Sequence, residues 1–216
     1  MASVFDPERA ELPLFERSLE LARAGRDPVA IARAHYWLGY LHYALGEAPT
    51  ALDHIEHALD AARALDDPRL YVQVQATLGQ ALASCGRYDA ALPLLDAAIA
   101  IKRQHRSGVG NAVGLTYSLA CKGYLRGDQG DFDTAGACFE EALHDAQCHQ
   151  YEALASVRGW YGVVLLWQGR WNEAQTLCKR AARDGAHVRS LHLMAMSRAG
   201  AAYARWCERR DARALD

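Results

Sequence analysis

Cys138, His144, Cys148 and His149 are thiols and imidazoles of the kind that hold zinc, and His144 and Cys148 stand one helical turn apart. Zinc needs about four such ligands converging tetrahedrally. Cys138 precedes Cys148 by ten residues, close to three turns, so a single helix does not bring both to one ion. We read the group as small buried cysteines beside surface histidines. His54 with His57, and His187 with His192, are read as surface helix residues. For phosphate chemistry, Ser107-Gly108-Val109-Gly110 is glycine-rich but has neither a lysine nor a preceding strand. No P-loop, strand-borne dinucleotide fingerprint or nucleophile elbow occurs. The carboxylates form no pair that can be placed in a cleft. The expectation is a protein with no catalytic set, no metal and no cofactor.

Composition narrows the classes further. Of 216 residues 51% are hydrophobic, much of that alanine, while 6 prolines, 4 phenylalanines and few β-branched runs disfavour a sheet. A net charge of −2 provides no global field for nucleic acid or an anionic membrane. The start MASVFDPERAELP has no basic head with an apolar run, and no stretch approaches a spanning helix. The six cysteines include no CxxC pair, which fits a reduced, cytoplasmic setting.

What organises the chain is a repeat. LGYLHYALGEAPTALDHIEHALDAA, residues 38–62, returns in register from 78, 122 and 161. Gly39, Gly79, Gly123 and Gly162 are spaced 40, 44 and 39 apart, as are Gly46, Gly86, Gly130 and Gly169. Ala51, Ala91, Ala135, Ala174 and Ala58, Ala98, Ala142, Ala181 keep the same intervals. Each unit reads as helix, glycine turn, helix, with the turn glycine in a left-handed conformation. Carboxylates at 47, 89, 133 and 173 lie in or just after the turn, where they favour a helix N-terminus. The mid-helix glycines predict a helix passing too close for any side chain. Tyr88, Phe132 and Trp171 follow the turns and are expected to plug the space between paired helices; Ala48 departs from that rule.

These residues resemble the tetratricopeptide repeat from about residue 11 onward. Leu38-Gly39 and Leu78-Gly79 match its opening, while His42, Leu82, Arg126 and Leu165 occupy the usual tyrosine site. The resemblance implies an all-α, α-α superhelix of about ten antiparallel helices forming one repeat domain over 1–216. The units expected are a half unit at 11–31, full units near 32–71, 72–115, 116–154 and 155–192, and a half unit at 193–216. A period near 40 instead of the family's 34 places extra length in the second helices, a form similar to arrays in bacterial signal-transduction ATPases and transcription regulators. The alignment puts Gly200 in the glycine column. The unfinished units read as a segment of a longer array or, alternatively, as ends that self-associate.

In such arrays the first helices line a concave groove. Carried over by alignment, the groove residues are Arg33, Tyr36, Tyr40, Tyr43, Gln73, Thr77, Gln80, Tyr117, Tyr124, Ser156, Ser197 and Arg198, with Trp160 beside them. Tyr36, Tyr40 and Tyr43 share one stripe by helix geometry, and aromatic residues with a hydroxyl suit partner recognition. Tyr36 and Tyr40 replace the lysine and asparagine of the family's chaperone-type carboxylate clamp, so that clamp is not expected. The arginines at 198, 205, 209, 210 and 213 read as a solvated helix end. The leading function is a non-enzymatic scaffold for a protein or peptide segment, with no membrane or nucleic-acid partner. The alternative is a ligand- or partner-sensing segment of a larger bacterial signalling or transcription regulator. On the groove reading, truncating Tyr36 and Tyr40 to alanine weakens capture without changing the melting behaviour.

Overall fold

The computed structural model describes residues 9–104, 114–149 and 153–209. Among them are ten α-helices and no strand. After a 3-10 turn at Arg9–Glu11 come α1 (Leu12–Ala24), α2 (Pro28–Ala44), α3 (Ala48–Ala64), α4 (Pro68–Ser84) and α5 (Tyr88–Gln104). Then follow α6 (Leu115–Asp128), α7 (Phe132–His149), α8 (Leu154–Trp167), α9 (Trp171–His187) and α10 (Leu191–Arg209). The chain divides into two compact units, residues 1–101 and 102–216. Within each, successive helices pack on one another, as α2 does on α3, α6 on α7, and α9 on both α8 and α10.

The two kinds of turn are built differently. Inside each repeat, Gly46, Gly86, Gly130 and Gly169 adopt φ of 79°, 72°, 83° and 73°, the left-handed region expected of them. Between repeats the left-handed residue is not glycine but Arg26, Asp66 or Arg189, at 50°, 51° and 59°. Each precedes an N-cap. Asp27 Oδ1 accepts from the N–H groups of Val29 and Ala30, and Asp67 Oδ1 from those of Arg69 and Leu70. Pro28 and Pro68 follow at the first helical position, where a missing N–H costs nothing. Because an L-residue pays for the left-handed region, Asp66→Gly is expected to raise stability by about 0.5–1 kcal/mol. Urea denaturation checks this, with a rise in midpoint as the expected result.

Packing follows the small columns. All eight alanines of the two alanine columns are 0% exposed. A methyl at Gly39 would meet Ile55 Cγ1 at 2.5 Å, at Gly79 Leu95 Cγ at 2.9 Å, at Gly123 the Phe139 ring at 3.0 Å, and at Gly162 Cys178 Sγ at 2.5 Å. In every repeat the glycine therefore seats the side chain sixteen residues later, on the following helix. Backbone closes the same seat, with the Ala51 carbonyl 3.2 Å from a Gly39 methyl. Trp171 lies over its turn, its ring 3.5 Å from a methyl built at Gly169, and Tyr88 and Phe132 are half-buried in the equivalent place.

The second helices α3, α5, α7 and α9 are nearly uniform, spanning 17, 17, 18 and 17 residues. The first helices differ instead, α2 and α4 having 17 residues and α6 and α8 only 14. The glycine column in α10 is displaced. Gly39 and Gly79 lie twelve residues after their N-caps, Asp27 and Asp67. The N-cap of α10 is Ser190, whose Oγ accepts from the Leu193 N–H, so the column there falls on Ala202, not Gly200. Burial agrees: Leu193, Ser197, Ala201 and Ala204 match Leu70, Val74, Leu78 and Ala81 of α4, and all eight are buried. The Ser107–Gly110 connector and the ends 1–8 and 210–216 lie outside the described residues.

Candidate partner-binding face

With the register corrected, the first helices turn one stripe away from the second helices, at positions −6, −2, +1 and +5 relative to the glycine column. In the first unit this stripe is Arg33, Trp37 and Tyr40 on α2, and Gln73, Thr77 and Gln80 on α4. Arg33 and Gln73 are exposed, Tyr40 and Gln80 half-buried, and Thr77 buried. Trp37 is 39% exposed and stands edge-on to Tyr40, with ring centroids 6.0 Å apart. Trp37 was not anticipated; its spacing of four from Arg33 and three from Tyr40 marks it as part of the stripe.

Tyr36 lies one position round the helix from that face. It is 6% exposed, and its hydroxyl accepts a hydrogen bond from Gln73 Nε2 at 3.0 Å, tying α2 to α4. Burial raises the Tyr36 phenol above its ordinary range against the hydrogen bonds of Thr77 and Gln73, and burial pushes Tyr40 up to about 12. Both rings are therefore neutral near neutral pH. The expectation that truncating Tyr36 spares the fold is corrected, because that side chain is core. Tyr36→Phe, which removes only the hydroxyl tie, is expected to cost about 0.5–1.5 kcal/mol in urea denaturation; no loss would show the tie contributes nothing. Tyr43 is half-buried on the next turn.

In the second unit the stripe becomes an aromatic ladder. Tyr117 and Tyr124 on α6 alternate with Trp160 and Trp167 on α8. The ring centroids are 6.3 Å apart for Tyr117–Trp160, 6.5 Å for Trp160–Tyr124 and 5.0 Å for Tyr124–Trp167. All three pairs cross at 65–66°, the edge-to-face geometry favoured by ring quadrupoles. The seven-residue step from Tyr117 to Tyr124 and from Trp160 to Trp167 keeps each pair on one face of its helix. Trp167 is 41% exposed, and Tyr203 of α10, at the position equivalent to Tyr124, is 48% exposed. Only Asp128 brings a formal charge to these positions on α6, α8 and α10.

Two expected groove residues fall elsewhere, and a third is buried. Ser197 is buried in the α10 core column, and Ser156, although on the stripe, is buried as well. Arg198 borders a cleft of about 330 Å³ between α9 and α10, with Lys179, Ala182, Arg183, Ala186 and Ala201. The possible metal ligands do not gather: Cys138 is buried, His144 Nε2 stands 4.0 Å from an exposed Cys148, and the His149 side chain lies outside the described residues. Among the described residues no group of three or more His, Cys, Asp or Glu is placed to share an ion. Burial pushes the Cys121 thiol up to about 12 and Cys178 to about 11, far from nucleophilic thiolates.

Paired helices joined by left-handed glycine turns, with small columns at the seams, define an all-α helical-repeat protein. Residues 30–104 match the tetratricopeptide repeat family model. Among solved structures, BtubC from P. vanneervenii shares 20% identity at a TM-score of 0.70, the match covering 95% of this chain and 85% of BtubC. The apo form of RapI shares 15% at 0.61, covering 93% of this chain and 77% of RapI. A Rap protein complexed with Competence and Sporulation Factor shares 14% at 0.61, covering 90% of this chain and 58% of that one. At these identities the likeness is one of fold. No curated protein matches the sequence. No helix among the described residues is long and apolar enough to cross a membrane.

Proposed function

We propose that this chain is a non-enzymatic scaffold of the cytoplasm that holds a peptide or protein segment against its first-helix face. The observation that carries the reading is the ladder Tyr117–Trp160–Tyr124–Trp167. Tryptophan and tyrosine give large, rigid contact area at low entropic cost and are the side chains most enriched in binding hot spots. A nearly uncharged aromatic stripe favours an apolar or neutral segment over a highly charged one. The Rap protein seen with Competence and Sporulation Factor shows a similar fold engaging a partner, which supports the class of function but not a particular ligand. In the first unit Arg33, Trp37, Tyr40, Gln73 and Gln80 hold the equivalent helix positions with a more polar set.

Selection of binders from a random peptide display library on the immobilised protein tests the proposal. The expected outcome is a family of peptides whose binding is lost with Trp160→Ala or Trp167→Ala and kept with Arg180→Ala, on an exposed second-helix position. Peptides indifferent to both tryptophans would overturn it.

A further inference from the structure

Four histidines that sequence spacing left apart are gathered between α2 and α3. His35 and His42 lie seven residues apart on one face of α2, and His54 and His57 three apart on α3. His35 Nδ1 is 3.0 Å from His54 Nδ1, so one imidazole donates and the other accepts. The His57 ring stacks on His35 with centroids 5.0 Å apart, and the His42 ring lies parallel to His54 at 5.6 Å. His35 and His42 are buried, and His54 is half-buried.

The charged groups facing the cluster come from every neighbouring element. From α1, an Arg23 guanidinium nitrogen stands 3.4 Å from His35 Nε2. From the α2–α3 turn, Glu47 Oε2 pairs with His42 Nδ1 at 2.6 Å, and Glu47 also pairs with Arg9. From α3, the Asp53 carboxylate lies 3.8 Å from His57 Nδ1, while the Asp53 carbonyl accepts from that nitrogen at 2.7 Å. Arg23 has no acceptor to offer a protonated His35, and a hydrogen bond between two imidazoles fails once both are cationic.

We propose that this cluster is an acid-sensitive latch, closed while His35 and His54 are neutral and opened by their protonation, which parts α2 from α3. The direction is set by linkage. Burial first, then the charges of His54, His57 and Arg23, lower His35 to about 4 from 6.5, with Asp53 opposing. Burial, followed by His42, lowers His54 as well, again against Asp53. A histidine depressed in the folded state takes up protons more readily when opened, so the latch weakens as pH falls from about 6.5 towards 4. For His35 alone, the opening constant rises roughly twentyfold between pH 7 and pH 5. Because α2 also presents Arg33, Trp37 and Tyr40, opening would release a segment held there; that consequence rests on the proposed function, whereas the latch itself does not.

Hydrogen exchange followed by mass spectrometry on the whole chain, corrected for the intrinsic pH dependence, reads the latch without any partner. Peptides from 28–64 are expected to gain at least tenfold in opening between pH 7 and pH 5, while peptides from 154–186 hold steady. His35→Gln combined with His54→Gln should abolish that gain. Wild-type protection that does not change, or an equal gain in the double variant, would overturn the proposal. If the double variant does not fold, histidine titration by NMR decides on the wild-type chain: His35 and His54 titrating well below 6.5 support the latch, and ordinary values refute it.

Discussion

Phe139→Ala is expected to lower the stability of the second unit by about 3–5 kcal/mol, the range for emptying a fully buried aromatic site. Phe139 is 0% exposed, stacks on Tyr161 with centroids 4.8 Å apart, and fills the seat opened by Gly123. Gly123→Ala attacks the same seat from the other side. Its methyl would lie 3.0 Å from two ring carbons of Phe139 and 3.2 Å from the Ala135 carbonyl, overpacking expected to cost about 1–3 kcal/mol. The two changes share one space, so they should not add. With Phe139 already truncated, the Gly123 methyl meets only the carbonyl, and its cost should fall by half or more. A double-mutant cycle in urea measures this. Additive losses would mean that the glycine column exists for some reason other than seating the next helix.

Trp167→Ala is expected to weaken binding of a selected peptide by about thirtyfold or more, the effect of removing a hot-spot residue worth at least 2 kcal/mol. The change should leave stability nearly intact, because this ring is 41% exposed and touches its own unit mainly through Tyr124 at 5.0 Å. Trp160 packs against both Tyr117 and Tyr124, so its truncation should cost some stability as well as binding. Separating the two effects matters. Isothermal titration of the peptide into wild type, Trp167→Ala and Arg180→Ala, each with a thermal melt, distinguishes a lost contact from a disordered face. A Trp167→Ala protein that binds normally and melts normally would remove the ladder's exposed end from the account.

Much of the fold was legible because packing constraints leave local marks. A left-handed turn selects glycine, and a close helix approach selects glycine against the next helix's bulk, so Gly46 and Gly39 announce their roles without tertiary information. The alanine columns carry the same kind of mark. What escaped depends on rotation about a helix axis, where an error of one or two residues changes the face. Gly200 took the column by residue type, whereas capping by Ser190 assigns it to Ala202; Ser197 moved into the core with that shift, and Tyr203 moved onto the stripe. Tyr36 and Tyr40 are neighbours on the helical wheel, and only tertiary packing separates them, burying Tyr36 and tying its hydroxyl to Gln73. Trp37 and Trp167 were missed although their steps from Arg33 and Trp160 were readable. The histidine cluster joins two helices, so neither helix alone contained its signal.

The central claim is that the first helices of the second unit receive the partner. Hydrogen exchange of the chain with and without a selected peptide tests it most directly. Added protection is expected in 115–128 and 154–167, together with side-chain footprinting protection at Trp160 and Trp167, and no change in the second helices 132–149 and 171–187. Protection confined to those second helices, with both tryptophans as accessible as in the free chain, would contradict it.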